Sequence, residues 1–225
     1  MSFINKNQPY GFLFVGEGHF PYEYIKEKSF RFRNSVFIFH YHWHEELPFC
    51  RYVLTDHQAM GRKAVEYFAQ RGIKKILFPA VFEKEYTGPH SSIQVQIMKS
   101  MKEHAAAAGL EFDESLFCRT HGGAKMEDML LQIPDCDLQN WGIFAYSDTN
   151  IVHRVFPALQ QRGIDPDTIP ILSNYNTPHA REYHFDSFDI QAQKTILKAV
   201  DMLTGVCNDQ KVLIEPEIVM HHKTN

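Results

Sequence analysis

The chain has 225 residues, of which 44% are hydrophobic and 22% charged, so it has the composition of an ordinary globular protein with room for one large domain or two small ones. A formal net charge of -4 and a single short basic run, Lys28 to Arg33, argue against a nucleic-acid-binding surface, which is normally a basic face. No apolar stretch reaches the roughly 18 residues of a membrane span, and the N-terminal segment lacks a signal-peptide core, so we expect a cytoplasmic protein.

Short apolar runs alternate with helical patterns along the N-terminal half of the chain. Nearly continuous runs of apolar and β-branched residues predict strands over 11–15, 35–40, 52–55 and 76–78. Helical periodicity predicts a short helix over 22–30, a helix between Asp56 and Gly72, and a longer one over 93–108 that Gly109 ends. Asp56 is the expected cap of the second helix.

The same alternation continues through the C-terminal half. Strands are predicted over 115–118, 142–146 and 169–172, helices over 126–132, 149–162 and 191–203, and a last extended segment over 212–219. This order predicts a mostly parallel sheet with helices on both faces. In such sheets ligands bind beyond the carboxyl ends of the strands, where Ser147-Asp148 and the loop from Ser173 to Asn176 are expected to lie.

The chemistry-bearing motifs of the commonest enzymes are not found in the sequence. It contains no GxSxG elbow, Walker loop, HExxH motif or GxGxxG fingerprint, so we expect neither an enzyme nor a cofactor. The four cysteines are far apart and form no CxxC pair, and we expect them to be free, reduced thiols: Cys50, Cys118, Cys136 and Cys207.

Four motifs follow one another in a recognisable order between about residues 11 and 225. They are the strand, Asp and helix from Val53 to Ala64 with the strand start Gly72 to Ile76, the strand end Phe144 to Asp148, the segment Leu159 to Leu172 with Gly163 and Pro166, and the closing run Pro216 to Val219. In this order they resemble the effector-binding part of the LacI/GalR family of transcriptional regulators.

The resemblance implies an α/β fold of two doubly wound parallel-sheet subdomains, of the type I periplasmic-binding-protein kind. The N-terminal subdomain would hold residues 1–56 and about 185–208, and the C-terminal one residues 57–184 and about 209–225. The family usually begins with a DNA-binding helix-turn-helix of about 60 residues. Neither that module nor the first strands of the N-terminal subdomain have a counterpart here, so we expect this subdomain to be truncated.

The resemblance also implies a function and a site. A small polar metabolite, such as a sugar, would bind in the cleft between the subdomains and control DNA binding allosterically through a module outside this chain, in a homodimer. The family's Arg and Asp are replaced by Gln96 and by Tyr175 and Asn176. A neutral Gln forms no bidentate charged clamp, which argues against an anionic ligand. The expected ligand-binding residues are His40, Gln96, His121, Asp148, Tyr175, Asn176 and Gln191.

Several residues keep alternative interpretations. His40, His42 and His44 share one face of an extended segment and suit a metal ion, a polar pocket wall or a solvated loop. His121 with the two glycines after it forms either a backbone anion nest or an ordinary turn.

Asp148 is a helix cap, a ligand acceptor or a catalytic carboxylate, and Tyr175 stacks on a sugar ring or packs within its loop. Asp186 and Asp189 could form a carboxylate pair, whereas His221 and His222 are expected at the surface. Two other functions use the same fold class, a solute-binding protein of a transporter and an α/β enzyme.

Overall fold

The computed structural model describes residues 11–16, 22–38, 46–78, 93–111, 130, 133–134 and 137–221. Two predicted elements, the strand over 115–118 and all but one residue of the helix over 126–132, lie outside these ranges, as do His40, His42, His44, His121 and His222. The chain divides into two compact units, Met1–Asp56 with Gln191–Glu215, and His57–Ile190 with Pro216–Asn225.

The first unit is built on a four-stranded parallel sheet in the order β1-β2-β3-β8. The strands are β1 (Phe12–Val15), β2 (Ser35–Ile38), β3 (Arg51–Thr55) and β8 (Lys211–Ile214). Alternate side chains of these strands pack on opposite faces of the sheet. One face packs against α1 (Tyr22–Glu27) and the other against α6 (Ala192–Leu203).

The second unit contains a five-stranded sheet in the order β4-β5-β6-β7-β9, parallel except for β9. The strands are β4 (Lys75–Leu77), β5 (Trp141–Phe144), β6 (Ile171–Asn174), β7 (Asp186–Asp189) and β9 (Glu217–Val219). Its helices among the described residues are α2 (His57–Gln70), α3 (Ile93–Ala105), α4 (148–161) and α5 (Pro178–Glu182).

Helices cover both faces of this sheet because successive residues of β5 point to opposite sides. Gly142 lies under the ring of Phe68 on α2, so closely that an added Cβ would come within 2.3 Å of the ring. The next residue, Ile143, belongs to the opposite core, with residues of α4 and α5. The parallel-sheet fold class that the sequence predicted is therefore observed in both units.

The helix α4 contains a wide turn close to the end of β5. Its middle segment, Ile151–Val155, is a π-helix between two α-helical segments. Pro157 lies just after it and has no N–H to donate to the carbonyl of His153, four residues earlier. The missing donor accounts for the local change of helix winding, and such π-helical turns often occur at functional sites.

Four differences from the predicted elements concern the C-terminal part. The helix α5 and the strand β7 were not predicted. The extended segment over 212–219 is two strands, of which β8 pairs with β3 and β9 pairs with β7. The sequence predicted boundaries near 185 and 208. The units divide at 190, because β7 pairs with β6 of the second unit, and at 215, because β8 pairs with β3 of the first. Among the described residues no helix is long and apolar enough to cross a membrane.

Candidate ligand-binding site

Two polar loops meet at one edge of the sheet in the second unit. The strands β5 and β6 run parallel, with Phe144 opposite Leu172, so their carboxyl ends lie side by side. The segment from Tyr146 to Asp148 follows β5, and the segment from Tyr175 to Thr177 follows β6. This is the position at which parallel α/β sheets bind ligands.

The side chain of Asp148 connects the segment after β5 to the loop after β6. Its side chain is fully buried, and both carboxylate oxygens accept hydrogen bonds. The backbone N–H of Thr177 donates to Oδ2 at 2.5 Å, and the hydroxyl of Ser187 on β7 donates to Oδ1 at 2.7 Å. Ser147, and not Asp148, caps α4, since its hydroxyl accepts from the N–H of Asn150 at 3.3 Å.

The loop after β6 holds two consecutive residues in a conformation that side chains rarely adopt. Tyr175 has a φ of 91° and Asn176 a φ of 46°, and neither is a glycine. The N–H of Tyr175 donates to the carbonyl of Phe188 at 2.9 Å, and that of Asn176 donates to Ser187 Oγ at 2.9 Å. Such strain persists only where surrounding bonds fix it, and it is concentrated at functional sites.

Two tyrosines form the aromatic part of this edge. The hydroxyl of Tyr175 donates to that of Tyr146 at 2.8 Å, and the rings meet edge to face with centroids 5.8 Å apart. Tyr175 therefore packs within the protein, against the loop that follows β5. Its stacking on a ligand stays a prediction.

Behind the loops lies a buried polar cluster around Asp186 of β7. Its Oδ2 accepts from the hydroxyl of Tyr67 at 2.8 Å and from Arg71 at 3.3 Å, and its Oδ1 accepts from the N–H of His221 at 2.8 Å. Burial, reinforced by the neighbouring carboxylate, raises the pKa of Tyr67 far above its ordinary value, so this hydroxyl stays a donor. The guanidinium of Arg71 also lies 3.6 Å from the centre of the Tyr67 ring.

This cluster corrects two expectations. Asp186 and Asp189 form no carboxylate pair, because residues three apart in a strand point to opposite faces. His221 is partly buried, and its Nε2 lies 2.7 Å from Oδ1 of Asn176. The end of the β9 segment thus supports the strained loop directly.

Three buried polar atoms in the segment from 173 to 179 have no hydrogen-bond partner among the described residues. They are Ser173 Oγ, Thr177 Oγ1 and His179 Nδ1. Buried polar groups are usually satisfied by protein, water or a ligand. The three atoms belong to β6, to the loop after it and to α5.

The structure brings together three of the predicted site residues, Asp148, Tyr175 and Asn176. Gln96 is half-buried in the first turn of α3. Gln191 belongs to the first unit, where it precedes α6 with a φ of 57° and its carbonyl accepts from Thr195.

Sequence reasoning missed the partners that hold this edge together. Ser187 bridges Asp148 and Asn176, but it lies in a polar strand that the pattern did not reveal. Tyr146 could have been inferred from its place at the end of an apolar strand. In the part of the chain that the structure describes, no group of three His, Cys, Asp or Glu side chains is placed to hold a metal ion.

No protein-family model matches the chain, and no curated protein matches its sequence. Solved structures do match its fold. The cellobiose complex of the transcriptional regulator CelR superimposes with a TM-score of 0.67 at 16% identity, covering 97% of this chain and 67% of that one. A periplasmic binding protein/LacI transcriptional regulator from Alkaliphilus metalliredigens QYMF, complexed with D-xylulofuranose, gives 0.61 at 17% identity, covering 100% and 81%.

A regulatory protein of the LacI family from Chloroflexus aggregans gives a TM-score of 0.70 at 17% identity, covering 98% of this chain and 79% of the other. The chain therefore has the type I periplasmic-binding-protein fold of LacI-type regulators. At this level of identity the likeness concerns the fold.

Proposed function

We propose that this chain is the effector-binding domain of a LacI-type transcriptional regulator and that it binds a small polar metabolite, such as a sugar, at the carboxyl ends of β5 and β6. The observation that carries the proposal is the loop of Tyr175 and Asn176, in which two consecutive non-glycine residues have positive φ. Its hydrogen bonds to the buried residues beneath it hold it in place before any ligand arrives, which lowers the cost of binding.

The side chains at this edge favour a neutral ligand rich in hydroxyl groups. Asn176 offers an amide, and Tyr146 and Tyr175 offer hydroxyls beside aromatic surface. Two fold neighbours were solved with sugars, cellobiose and D-xylulofuranose. Asp148 has the role of a brace for the loops in this account, and its direct contact with a ligand stays a prediction.

Direct ligand contacts by the other expected site residues, His40, Gln96, His121 and Gln191, likewise stay predictions.

The mechanism that we propose is allosteric and not catalytic. A ligand that binds one conformation of the protein more tightly than another shifts the population between them, and this shift would change DNA binding by a module outside this chain. We also propose that the protein acts in the cytoplasm as a homodimer.

A thermal-unfolding screen tests the ligand. Cellobiose, D-xylulose and a panel of hexoses and pentoses would each be added in large excess. A ligand at about 100 times its Kd should stabilise the fold by about 2.7 kcal/mol, which raises the midpoint by about 5–10 °C. If every compound leaves the midpoint unchanged, the sugar proposal is wrong.

A variant pair tests the site. Asn176→Ala should abolish the shift given by any active compound, whereas Asn208→Ala, an exposed asparagine of the first unit, should keep it. An unchanged shift in Asn176→Ala would remove this loop from the site.

A second candidate is a solute-binding protein, since one neighbour is described both as a periplasmic binding protein and as a LacI transcriptional regulator. The gene sequence upstream of Met1 discriminates between the two. A helix-turn-helix there supports the regulator, and a secretory signal supports the transport protein.

A further inference from the structure

The segment after β9 contacts the strained loop through the ring of one histidine. Nε2 of His221 lies 2.7 Å from Oδ1 of Asn176, whose φ is 46°. The sheet brings the two together, since β9 pairs antiparallel with β7 and β7 pairs with β6, so that the end of β9 reaches the loop after β6. Both residues are half-buried, and solvent therefore reaches this contact only in part.

The backbone of His221 is fixed by a buried carboxylate. Its N–H donates to Oδ1 of Asp186 at 2.8 Å, and Asp186 is fully buried. The other oxygen of that carboxylate accepts from Tyr67 at 2.8 Å and from Arg71 at 3.3 Å. A ring on a backbone held in this way has little freedom left to lose when it forms a hydrogen bond. His221 is therefore well placed to act on the side chain of Asn176.

The short contact determines which ring nitrogen of His221 carries the proton. An amide oxygen only accepts hydrogen bonds, so the nitrogen that faces it must donate. In a neutral imidazole one nitrogen is a donor and the other an acceptor, and the hydrogen bonds around the ring select between the two tautomers. The neutral form of His221 is consequently the one with its proton on Nε2.

The same contact determines how the amide of Asn176 is turned. Its oxygen is occupied by His221, and its backbone N–H donates to Ser187 Oγ at 2.9 Å. Within the residues that the structure describes, no acceptor lies at hydrogen-bonding distance from Nδ2 of Asn176. The NH₂ group, with its two N–H donors, is therefore the part of this side chain that remains for a ligand.

We propose that His221 is a positioning residue of the ligand site, whose Nε2–H holds Oδ1 of Asn176 so that the amide offers only donors to the ligand. The ligand then presents an acceptor oxygen at this point, from a hydroxyl, ether or carbonyl group. An amide that was free to turn would pair with donors and acceptors alike, so the histidine makes the site selective. The inference rests on the proposed ligand site, but the state of the histidine ring can be measured without a ligand.

The proton on Nε2 is tested by NMR of the ¹⁵N-labelled, ligand-free chain at pH 8, where an ordinary histidine is neutral. Long-range ¹H–¹⁵N correlations within each ring distinguish the tautomers. His221 should show a protonated Nε2 and an unprotonated Nδ1. His104 is the internal control, because its Nδ1 lies 2.7 Å from the carbonyl oxygen of Ser100 and should carry the proton instead. A proton on Nδ1 of His221, or a rapid mixture of its tautomers, would overturn the proposal.

Variants connect the histidine to binding, which is measured by calorimetry with cellobiose and with D-xylulose. His221→Phe keeps a ring but removes the donor, and it should weaken binding about tenfold. His221→Gln should restore most of the affinity, because its side-chain N–H can replace Nε2–H. The matched control is His104→Phe, which removes a histidine-to-carbonyl contact of the same length elsewhere in the second unit and should bind like the wild type. Circular dichroism checks that each variant is folded.

Asn176→Asp tests the direction of the amide. The carboxylate keeps an oxygen for His221 but replaces both N–H donors by an acceptor, so binding should weaken about tenfold or more. An affinity equal to that of the wild type in Asn176→Asp or in His221→Phe would show that the proposal is wrong. If neither sugar binds the wild type, the proposed sugar ligand fails, and the ring correlations alone then decide whether His221 holds the amide.

Discussion

Replacing Ser187 by Ala removes the hydroxyl that connects the buried carboxylate of Asp148 to the strained loop at Asn176. In the native protein this hydroxyl donates to the buried carboxylate of Asp148 at 2.7 Å and accepts from the N–H of Asn176 at 2.9 Å. A hydrogen bond to a charged group contributes about 1.5–3 kcal/mol, and a neutral one about 0.5–1.5 kcal/mol. The variant should therefore lose about 2–4.5 kcal/mol of unfolding free energy.

The adjacent strand offers a matched control. Ser173 lies directly opposite Ser187 in the register of β6 and β7, and both side chains are fully buried. Ser173 Oγ has no hydrogen-bond partner within the described ranges of the chain, so Ser173→Ala should be neutral or slightly stabilising. Urea unfolding at equilibrium measures both variants. Equal losses for the two serines would refute the reasoning, because burial would then matter and the bridge would not.

Three further predictions concern other parts of the chain. Arg71→Ala should lower the free energy of unfolding by about 1–3 kcal/mol, because the buried Asp186 loses a charged hydrogen-bond donor. Arg62→Ala, on the exposed side of the same helix, should lower it by less than about 0.5 kcal/mol. Similar losses for the two variants in urea unfolding would contradict this. Burial raises the pKa of Cys50 to about 12. In the native protein at pH 8 this thiol should therefore not react with iodoacetamide until urea unfolds the chain. Rapid labelling of Cys50 in the native protein, detected by mass spectrometry, would contradict this. Hydrogen bonds, of which the one from Lys75 is the strongest, lower the pKa of Asp137 to about 2. The ionised carboxylate therefore stabilises the folded protein fully above about pH 4, and this contribution is lost as the pH falls towards 2. Asp137→Asn should reduce the slope of unfolding free energy against pH in this range, and an unchanged slope would contradict the assignment.

The regular elements were predictable where local pattern and tertiary packing agree. The helix α6 combines an apolar periodicity with polar residues on the remaining side, and its predicted and observed ranges differ by one residue at the start. The helix α2 ends just before Gly72, whose φ of 71° shows the left-handed turn that the glycine suggested.

The strand β7 escaped prediction because its sequence, DSFD, reads as a polar loop. Its polar residues are buried because donors from distant parts of the chain meet them: Tyr67 and Arg71 from α2, and His221 after β9. Such partners are more than 30 residues away along the chain, and no local periodicity reports them.

The position of the candidate site could be predicted from the sequence, but the roles of its residues could not. The end of β5 and the loop after β6 could be inferred from the rule for parallel sheets. The role of Asp148 could not, because it depends on the N–H of Thr177 and the hydroxyl of Ser187, which only the folded chain brings to it. The positive φ of Tyr175 and Asn176 is likewise a property of the bonds around the loop.

The most direct test of the ligand site is an NMR titration of the ¹⁵N-labelled chain with cellobiose and with D-xylulose, the two compounds chosen from the fold neighbours, followed by any compound that raises the thermal midpoint. The account predicts that the largest changes in the second unit fall on the amides of Tyr146, Tyr175 and Asn176. Saturable changes that leave all three amides unmoved, or no saturable change with any compound, would contradict it.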